Sequence, residues 1–315
     1  LRCELPPAPG APLGRILVLG HTDTVYERGT LACVPFRVAR GRAFGPGTLD
    51  MKAGLVIALA AVDALRSARL APRRRVVFLW TSDEEIGSES ARAAIEREAR
   101  RSAAVLVLEP GTGHSGKLKT ARKGVGGFTL EVTGRAAHAG VNPQDGVNAV
   151  HELALQIARV SRFGNPRRGI TVNADVVQGG TRTNVIAERA RAEVDVRCVR
   201  AADMPRIAAR FRALRPVLPG AKLRVTGGMN RPPMERRVAA RLFARAQALG
   251  NEMGLRLEES STGGGSDGNI TAALGVPTLD GLGAAGAGAH TPGEHVRTRS
   301  LPERAALLAA LLLSL

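Results

Sequence analysis

The chain has 315 residues, 44% of them hydrophobic, and a formal net charge of +17. That length suits two domains better than one core, and no apolar run reaches membrane-spanning length, the longest being 305–315. Cys3, Cys33 and Cys198 are scattered without C-x-x-C spacing, which supports neither a zinc knuckle nor a disulfide framework. The positive charge is almost all arginine, with lysine only at Lys52, Lys117, Lys119, Lys123 and Lys222, and an aromatic content of 3% leaves few platforms for stacked bases. We read the charge as a general attraction for anionic partners and expect neither a nucleic acid nor a membrane as the partner.

In chain order the pattern predicts a strand at 15–20, a hairpin-like stretch around 36–44, a helix at 53–67, a strand at 75–80, a helix at 88–101 and a strand at 104–108. Such alternation argues for a mostly parallel sheet covered by helices. The texture then changes. Strand 128–133, helix 148–160, strands 170–177 and 190–199, helix 201–214 and strand 222–226 follow the β-α-β-β-α-β order of a ferredoxin-like domain. From 227 the chain returns to helix–strand alternation, with helix 239–253, strand 276–279 and helix 302–313. The expected division is an α/β domain made of 1–118 and 228–315, interrupted by an α+β domain at 119–227.

Acids and histidines stand where these strands end. His21 and Asp23 follow the apolar run 16–20, and Asp50 closes the turn Gly45-Pro46-Gly47-Thr48-Leu49. Glu84 and Glu85 follow 76–80, Glu109 follows 105–108, and His290 sits in the glycine-rich stretch 281–295. In an open α/β sheet, ligands gather outside the carboxyl ends of the strands. Two histidines and several carboxylates converging there have the composition of a two-metal hydrolytic site.

Each motif alone has a plainer reading. A ligating histidine usually donates its second N–H to a carboxylate, and His21 with Asp23 satisfies that rule, although the segment also reads as a turn with a surface histidine. Asp50 at a helix start could equally be a cap; beside the other acids, bridging two cations is the better reading. Three acids in a row, Asp83-Glu84-Glu85, are costly unless cations compensate them. Consecutive glutamates can divide the work, one binding metal and one taking a proton from activated water. Extended backbone here would turn Asp83 away from Glu84.

Taken in order, H-x-D-T-V-Y at 21–26, G-P-G-x-x-D-M-K at 45–52, D-E-E-x-G-S at 83–88, Glu109-Pro110, Ala-His-Ala-Gly around His138, Gly-Gly-Gly-Ser-Asp at 263–267 and the late His290 form a series. That series resembles the di-zinc metallopeptidase family of glutamate carboxypeptidase, acetylornithine deacetylase, succinyl-diaminopimelate desuccinylase and the aminoacylases. The resemblance runs from about Arg15 to Val296, and Val34-Pro35-Phe36 after the first motif is most like the glutamate carboxypeptidase branch. Met51 and Ala53 depart from residues common in relatives, and neither is a ligand.

The resemblance implies a zinc-exopeptidase-like catalytic domain with an inserted lid that also forms a homodimer. It implies Asp50 bridging two Zn2+ ions per subunit, with Co2+ or Mn2+ able to replace them, roughly 3.5–4 Å apart. His21 and Glu109 would complete one site, Glu85 and His290 the other. Glu84 would be the general base, and Asp23 would orient His21. His138 would stabilise the oxyanion, often in the partner subunit's site, Asn184 and Arg197 would hold the substrate's carboxylate end, and Gly264 and Gly265 would offer backbone to it. A cis Asp50–Met51 peptide is implied as well. The lid is expected to move, since His138, Asn184 and Arg197 lie on it while every metal ligand lies off it.

The expected reaction releases a C-terminal amino acid, glutamate being one candidate, from an N-acylated or peptide substrate with a free carboxylate. The alternatives are an N-acyl-amino-acid deacylase of the same family and, in a different class, a basic binding protein with an inactive site. The chain opens on Leu1 and reaches a strand by Arg15. The expectation is therefore that an N-terminal segment, with any targeting signal, precedes it, leaving a cytoplasmic and a periplasmic location both open.

Overall fold

Residues 16–19, 76–79 and 104–107 are buried along their whole length, the pattern of strands covered on both faces. The computed structural model, which describes residues 1–11 and 14–315, places them in strands Arg15–His21, Arg75–Thr81 and Ala104–Val107. Arg15–His21 lies between the other two and runs parallel to both. Thr278–Leu279 extends the parallel part beyond Ala104–Val107. The other edge is Arg2–Leu5, antiparallel to Arg75–Thr81 and not anticipated from the sequence.

Successive side chains of a strand face opposite ways. Ile16 and Val18 accordingly pack with helices Ala53–Ser67, Arg236–Glu252 and Ser300–Ser314, whereas Leu17 and Leu19 pack with Arg92–Arg100 and Asp267–Ala273. This sheet and its helices belong to a unit made of residues 1–122 and 234–315.

Residues 123–233 form a second unit with its own core. Its strands, Gly124–Thr133, Thr171–Gly179, Arg189–Cys198 and Lys222–Arg231, are all antiparallel, with the fourth beside the first and the second at the far edge. Helices Ala149–Ser161 and Met204–Arg212 complete the ferredoxin-like order. Asn148 caps the first helix by accepting the N–H groups of Val150 and His151. Along Arg189–Cys198, alternate residues from Ala190 to Cys198 turn inward. Phe211 fills the centre, stacked on Phe128 at 3.9 Å between ring centroids and edge-on to Phe163 at 5.2 Å. Burial pushes the Cys198 thiol up to about 11, so it is an inert core residue.

The expected boundaries at 119 and 228 fall a few residues before the observed ones at 123 and 234. Leu118–Arg122 stays with the first unit because it pairs in parallel with Glu259–Thr262. Helix Arg92–Arg100 begins later than expected: Ser88 takes a left-handed φ of 58°, outside the helical region, and the Asp83 carboxylate accepts the N–H groups of Ser90 and Ala91 at 2.8 and 3.1 Å. The residues before it therefore form a turn.

Phe211→Ala removes the buried centre of the second core and should destabilise the protein by about 3–5 kcal/mol. Denaturant unfolding measures this, and a loss under about 1 kcal/mol would show that the aromatic cluster does not hold the unit together.

Candidate metal centre

Parallel register brings three of the predicted segments to one sheet edge. His21 ends its strand opposite Thr81, the acids 83–85 follow Thr81 directly, and Glu109 follows Ala104–Val107. Asp50 and His290 arrive on a separate small sheet, in which Arg42–Phe44 pairs antiparallel with His295–Arg297, itself paired with Gly286–Ala287. Antiparallel pairing sets the chain leaving towards Asp50 beside the chain arriving from His290. There the Gly45 N–H donates to the Glu294 carbonyl at 3.2 Å. The Asp50–Met51 peptide is cis, and His290 takes a left-handed φ of 63°.

The donor atoms converge pairwise on Asp50. His21 Nε2 lies 3.5 Å from Asp50 Oδ1 and 3.4 Å from Glu109 Oε1. His290 Nε2 lies 3.4 Å from Asp50 Oδ2 and 3.4 Å from Glu85 Oε1. These separations are long for N–H···O hydrogen bonds. They do match the edge of a tetrahedron of ligands about 2.1 Å from a central ion, which is about 3.4 Å. His21 Nε2 and Glu85 Oε1 are buried without a hydrogen-bond partner, a costly state that a cation relieves. The donor set therefore fits two divalent cations sharing Asp50. Glu84, also buried, has a carboxylate oxygen within 4.8 Å of donor atoms of His21 and Glu109.

The protein's own side chains compensate the charges of the site unevenly. Burial alone would lower the His21 pKa, but Asp50 and Glu109 hold it up to about 11. Burial would likewise raise Glu109, but Arg122 first, then His21 and Lys119, hold its carboxyl well below the usual range. Lys119 itself is pushed down by burial and by Arg122. Glu85 is pushed up by burial and by Asp50. Glu109 is thus stabilised by the protein's own cations, whereas Glu85 is left for a metal to stabilise.

Asp23 meets His21 through two groups. The nearer partner of His21 Nδ1 is the Asp23 backbone carbonyl at 3.1 Å, with the carboxylate at 3.4 Å. A carbonyl acceptor holds the proton on Nδ1 and leaves Nε2 for a metal. The other carboxylate oxygen of Asp23, Oδ2, accepts the Glu85 N–H at 3.0 Å. The acidic segment is a turn rather than extended, with the Gly87 N–H bonded to the Glu84 carbonyl at 3.0 Å. Gly264 and Gly265 turn their carbonyls to Arg122 Nη1 at 3.1 and 3.0 Å.

Of the residues predicted on the inserted unit, two come together and one does not. His138 Nδ1 accepts the N–H groups of Gly140 and Val141, both at 3.2 Å, so the neutral ring carries its proton on Nε2 as an outward donor. The Ala139 N–H donates to the Asn184 carbonyl at 2.9 Å, which sets Asn184 beside His138. Arg197 is at the other end of Arg189–Cys198. At about 3.3 Å per residue it lies roughly 26 Å from the Asn184 end of that strand. Its Nε contacts both carboxylate oxygens of Asp195 at 3.0 Å. Within one chain, Arg197 does not join Asn184 and His138.

Sequence reasoning missed Glu294. Its carboxylate, 1% exposed, accepts the N–H groups of Gly47, Leu49 and Asp50 at 2.9, 2.7 and 2.9 Å and the Tyr26 hydroxyl at 2.8 Å. The visible signal was an acid four residues after His290 in a stretch otherwise rich in glycine. Nothing local revealed that its partners lie some 245 residues upstream.

A carboxylate-bridged pair of metal sites at the carboxyl edge of an α/β sheet defines the class of dinuclear metallohydrolases. Residues 17–314 match the model of peptidase family M20/M25/M40, and the chain belongs to that family of metal-dependent enzymes hydrolysing peptide and amide bonds. It is 30% identical over 308 residues to carboxypeptidase G2 of Pseudomonas sp. (strain RS-16), covering 95% of this chain and 74% of that one. It is also 30% identical over 198 residues to acetylornithine deacetylase of Pasteurella multocida, covering 58% of this chain and 50% of the relative. The crystal structure of aminopeptidase PepT from Bacillus cereus superposes with a TM-score of 0.78 at 24% identity, covering 99% of this chain and 83% of that one, a likeness of fold.

Glu294→Gln puts an amide NH2 against backbone donors and should loosen the Asp50 segment. Affinity for both metals should fall about 10–100-fold in a metal titration of the folded variant. Unaltered affinity would mean that Asp50 is held in place by other contacts.

Proposed function

We propose that this chain is a di-zinc amidohydrolase that releases a C-terminal amino acid, glutamate foremost, from an N-acylated or peptide substrate with a free carboxylate. The observation that carries the reading is Asp50, whose two oxygens lie 3.5 and 3.4 Å from His21 Nε2 and His290 Nε2, with Glu84 buried in the same cluster. Identity of 30% to a carboxypeptidase along 95% of the chain favours C-terminal release over deacylation, the second reading, which similarity to acetylornithine deacetylase keeps in view. Likeness of the first motif to the glutamate carboxypeptidase branch favours glutamate.

His21, Asp50 and Glu109 would hold one ion, and Asp50, Glu85 and His290 the other. Bound there, two Zn2+ ions supply Lewis acidity towards the scissile carbonyl and make water more acidic. Glu84 takes the proton of the attacking water and passes it to the departing amine. Of the other acids nearby, Glu85 and Glu109 would serve as ligands, the Asp23 carboxylate accepts the Glu85 N–H, and that of Asp83 accepts the Ser90 N–H. His138, with its proton on Nε2, donates to the oxyanion as the tetrahedral centre forms. Asn184 and Arg197 hold the substrate's carboxylate end.

Arg197 stands roughly 26 Å along its strand from Arg189, the end near which His138 and Asn184 pair, too far for both to grip one small substrate. We therefore assign the site His138 and Asn184 from one copy of the chain and Arg197 from another, which makes the active species a homodimer. The edge strand Thr171–Gly179, with Val176 and Val177 exposed, supports the inserted unit as the place of contact.

A screen of N-acyl amino acids and folate-type substrates with zinc-loaded protein tests the reaction; turnover of none would sink it. Glu84→Gln should keep both metals and lose at least about a hundredfold in kcat. Loss of metal would make Glu84 a ligand, and near-normal turnover would rule it out as the base. His138→Ala and Arg197→Ala should each be nearly inactive with metals retained, and mixing the two under conditions of subunit exchange should restore activity. No restoration would place His138 and Arg197 in the site through the same chain.

A further inference from the structure

Resting on the hydrolase reading above, we infer that Arg122 is a positioning residue that sets a metal ligand and the substrate-facing backbone with one guanidinium. Arg122 is 4% exposed and ends strand Leu118–Arg122, where its register partner is Thr262, the residue before Gly263-Gly264-Gly265. All three of its nitrogens are engaged. Nη2 donates to Glu109 Oε2 at 3.1 Å, Nε to Asp280 Oδ2 at 2.7 Å, and Nη1 to the carbonyls of Gly264 and Gly265 at 3.1 and 3.0 Å.

On the metal side, Arg122 occupies one oxygen of Glu109 and leaves the other, Oε1, 3.4 Å from His21 Nε2. Glu109 is thereby set to offer a single oxygen to an ion. Lys119 Nζ also approaches Oε2, at 3.7 Å, but an ammonium is a point charge without the planar fork that reaches several acceptors at once.

On the substrate side, three glycines in a row have no side chains to limit their backbone, so the loop needs an outside anchor. A trans peptide points its C=O and N–H to opposite sides. Holding the Gly264 carbonyl therefore turns the Gly265 N–H away from Arg122. The neighbouring amides are turned elsewhere, that of Gly264 to Thr262 Oγ1 at 3.3 Å and that of Ser266 to Asn269 Oδ1 at 2.9 Å, so Gly265 is the donor assigned to the substrate. Asp280, fully buried, secures the assembly by accepting both Arg122 Nε and the Ser266 hydroxyl, the latter at 2.7 Å.

Arg122→Lys keeps the charge and removes the fork. Three measurements apply to the full chain: Co2+ titration of the metal-free protein followed by visible absorption, hydrogen exchange of the amides at 263–266, and KM and kcat of the metal-saturated enzyme on the N-acyl amino acid that the unaltered protein hydrolyses fastest. Co2+ affinity at one site should fall at least about tenfold and exchange at 263–266 should quicken. KM should rise about tenfold with kcat within about threefold. Lower thermal stability with unchanged Co2+ affinity or unchanged exchange would reduce Arg122 to a folding role and overturn the inference. If Arg122→Lys does not fold, Asp280→Asn, which keeps the shape but removes the carboxylate anchoring Arg122, must move the same quantities in the same direction, and failure to do so is equally decisive. Co2+ binding and exchange need no substrate, so absence of turnover by the unaltered protein would sink the hydrolase reading while these two arms still decide this one.

Discussion

One carboxylate has to face two histidines. Asp50 Oδ1 points to His21 and Oδ2 to His290, and each histidine also meets a glutamate of its own. A shared carboxylate of this kind works only if its backbone is held with little freedom, because a small rotation would unbalance both sites together. The small sheet and Glu294 meet that demand. Antiparallel pairing of Arg42–Phe44 with His295–Arg297 brings the two segments side by side, and the Glu294 carboxylate gathers the amides of Gly47, Leu49 and Asp50. His290 and the clamp on Asp50 thus lie on one short loop.

Crowding acids at a sheet edge has an electrostatic cost, which the protein meets in two ways. Glu109 is neutralised from within by Arg122 and Lys119. Among the described residues no lysine or arginine is paired with Glu85; its N–H is held by Asp23, its Oε1 lies 3.4 Å from His290 Nε2 without a hydrogen bond, and burial and Asp50 push its pKa up. That asymmetry suits a site completed by metal. Divalent ions held by these residues would relieve the remaining repulsion.

Three of the residues to which the resemblance gives roles lie on the inserted unit. His138 is a tautomerically defined donor, Asn184 is tied to its neighbour Ala139, and Arg197 stands at the far end of the same sheet. The antiparallel pairing of that sheet fixes the separation along the strand. Glycine at 227, with φ 94° and backbone of Gly127 where a Cβ would sit, marks how closely two of its strands are packed.

Continuous apolar runs such as 76–79 and the strict alternation of 190–198 announce doubly covered and half-covered strands, so the two fold types were legible from the chain alone. So were His21, Asp50, Glu84, Glu85, Glu109 and His290 as candidates, because strand ends are where an α/β sheet collects ligands. Their grouping around Asp50 was not, nor were Glu294, Arg122 and Asp280, whose partners are distant in sequence and whose hydrogen bonds leave no local pattern. The carbonyl rather than the carboxylate of Asp23 lying nearest His21, and Arg197 standing apart from Asn184, were likewise decided by backbone direction and strand length. Local side-chain chemistry and periodicity determine which elements form and which residues can react; which atoms meet is determined only when register, turns and buried charge pairs close in three dimensions.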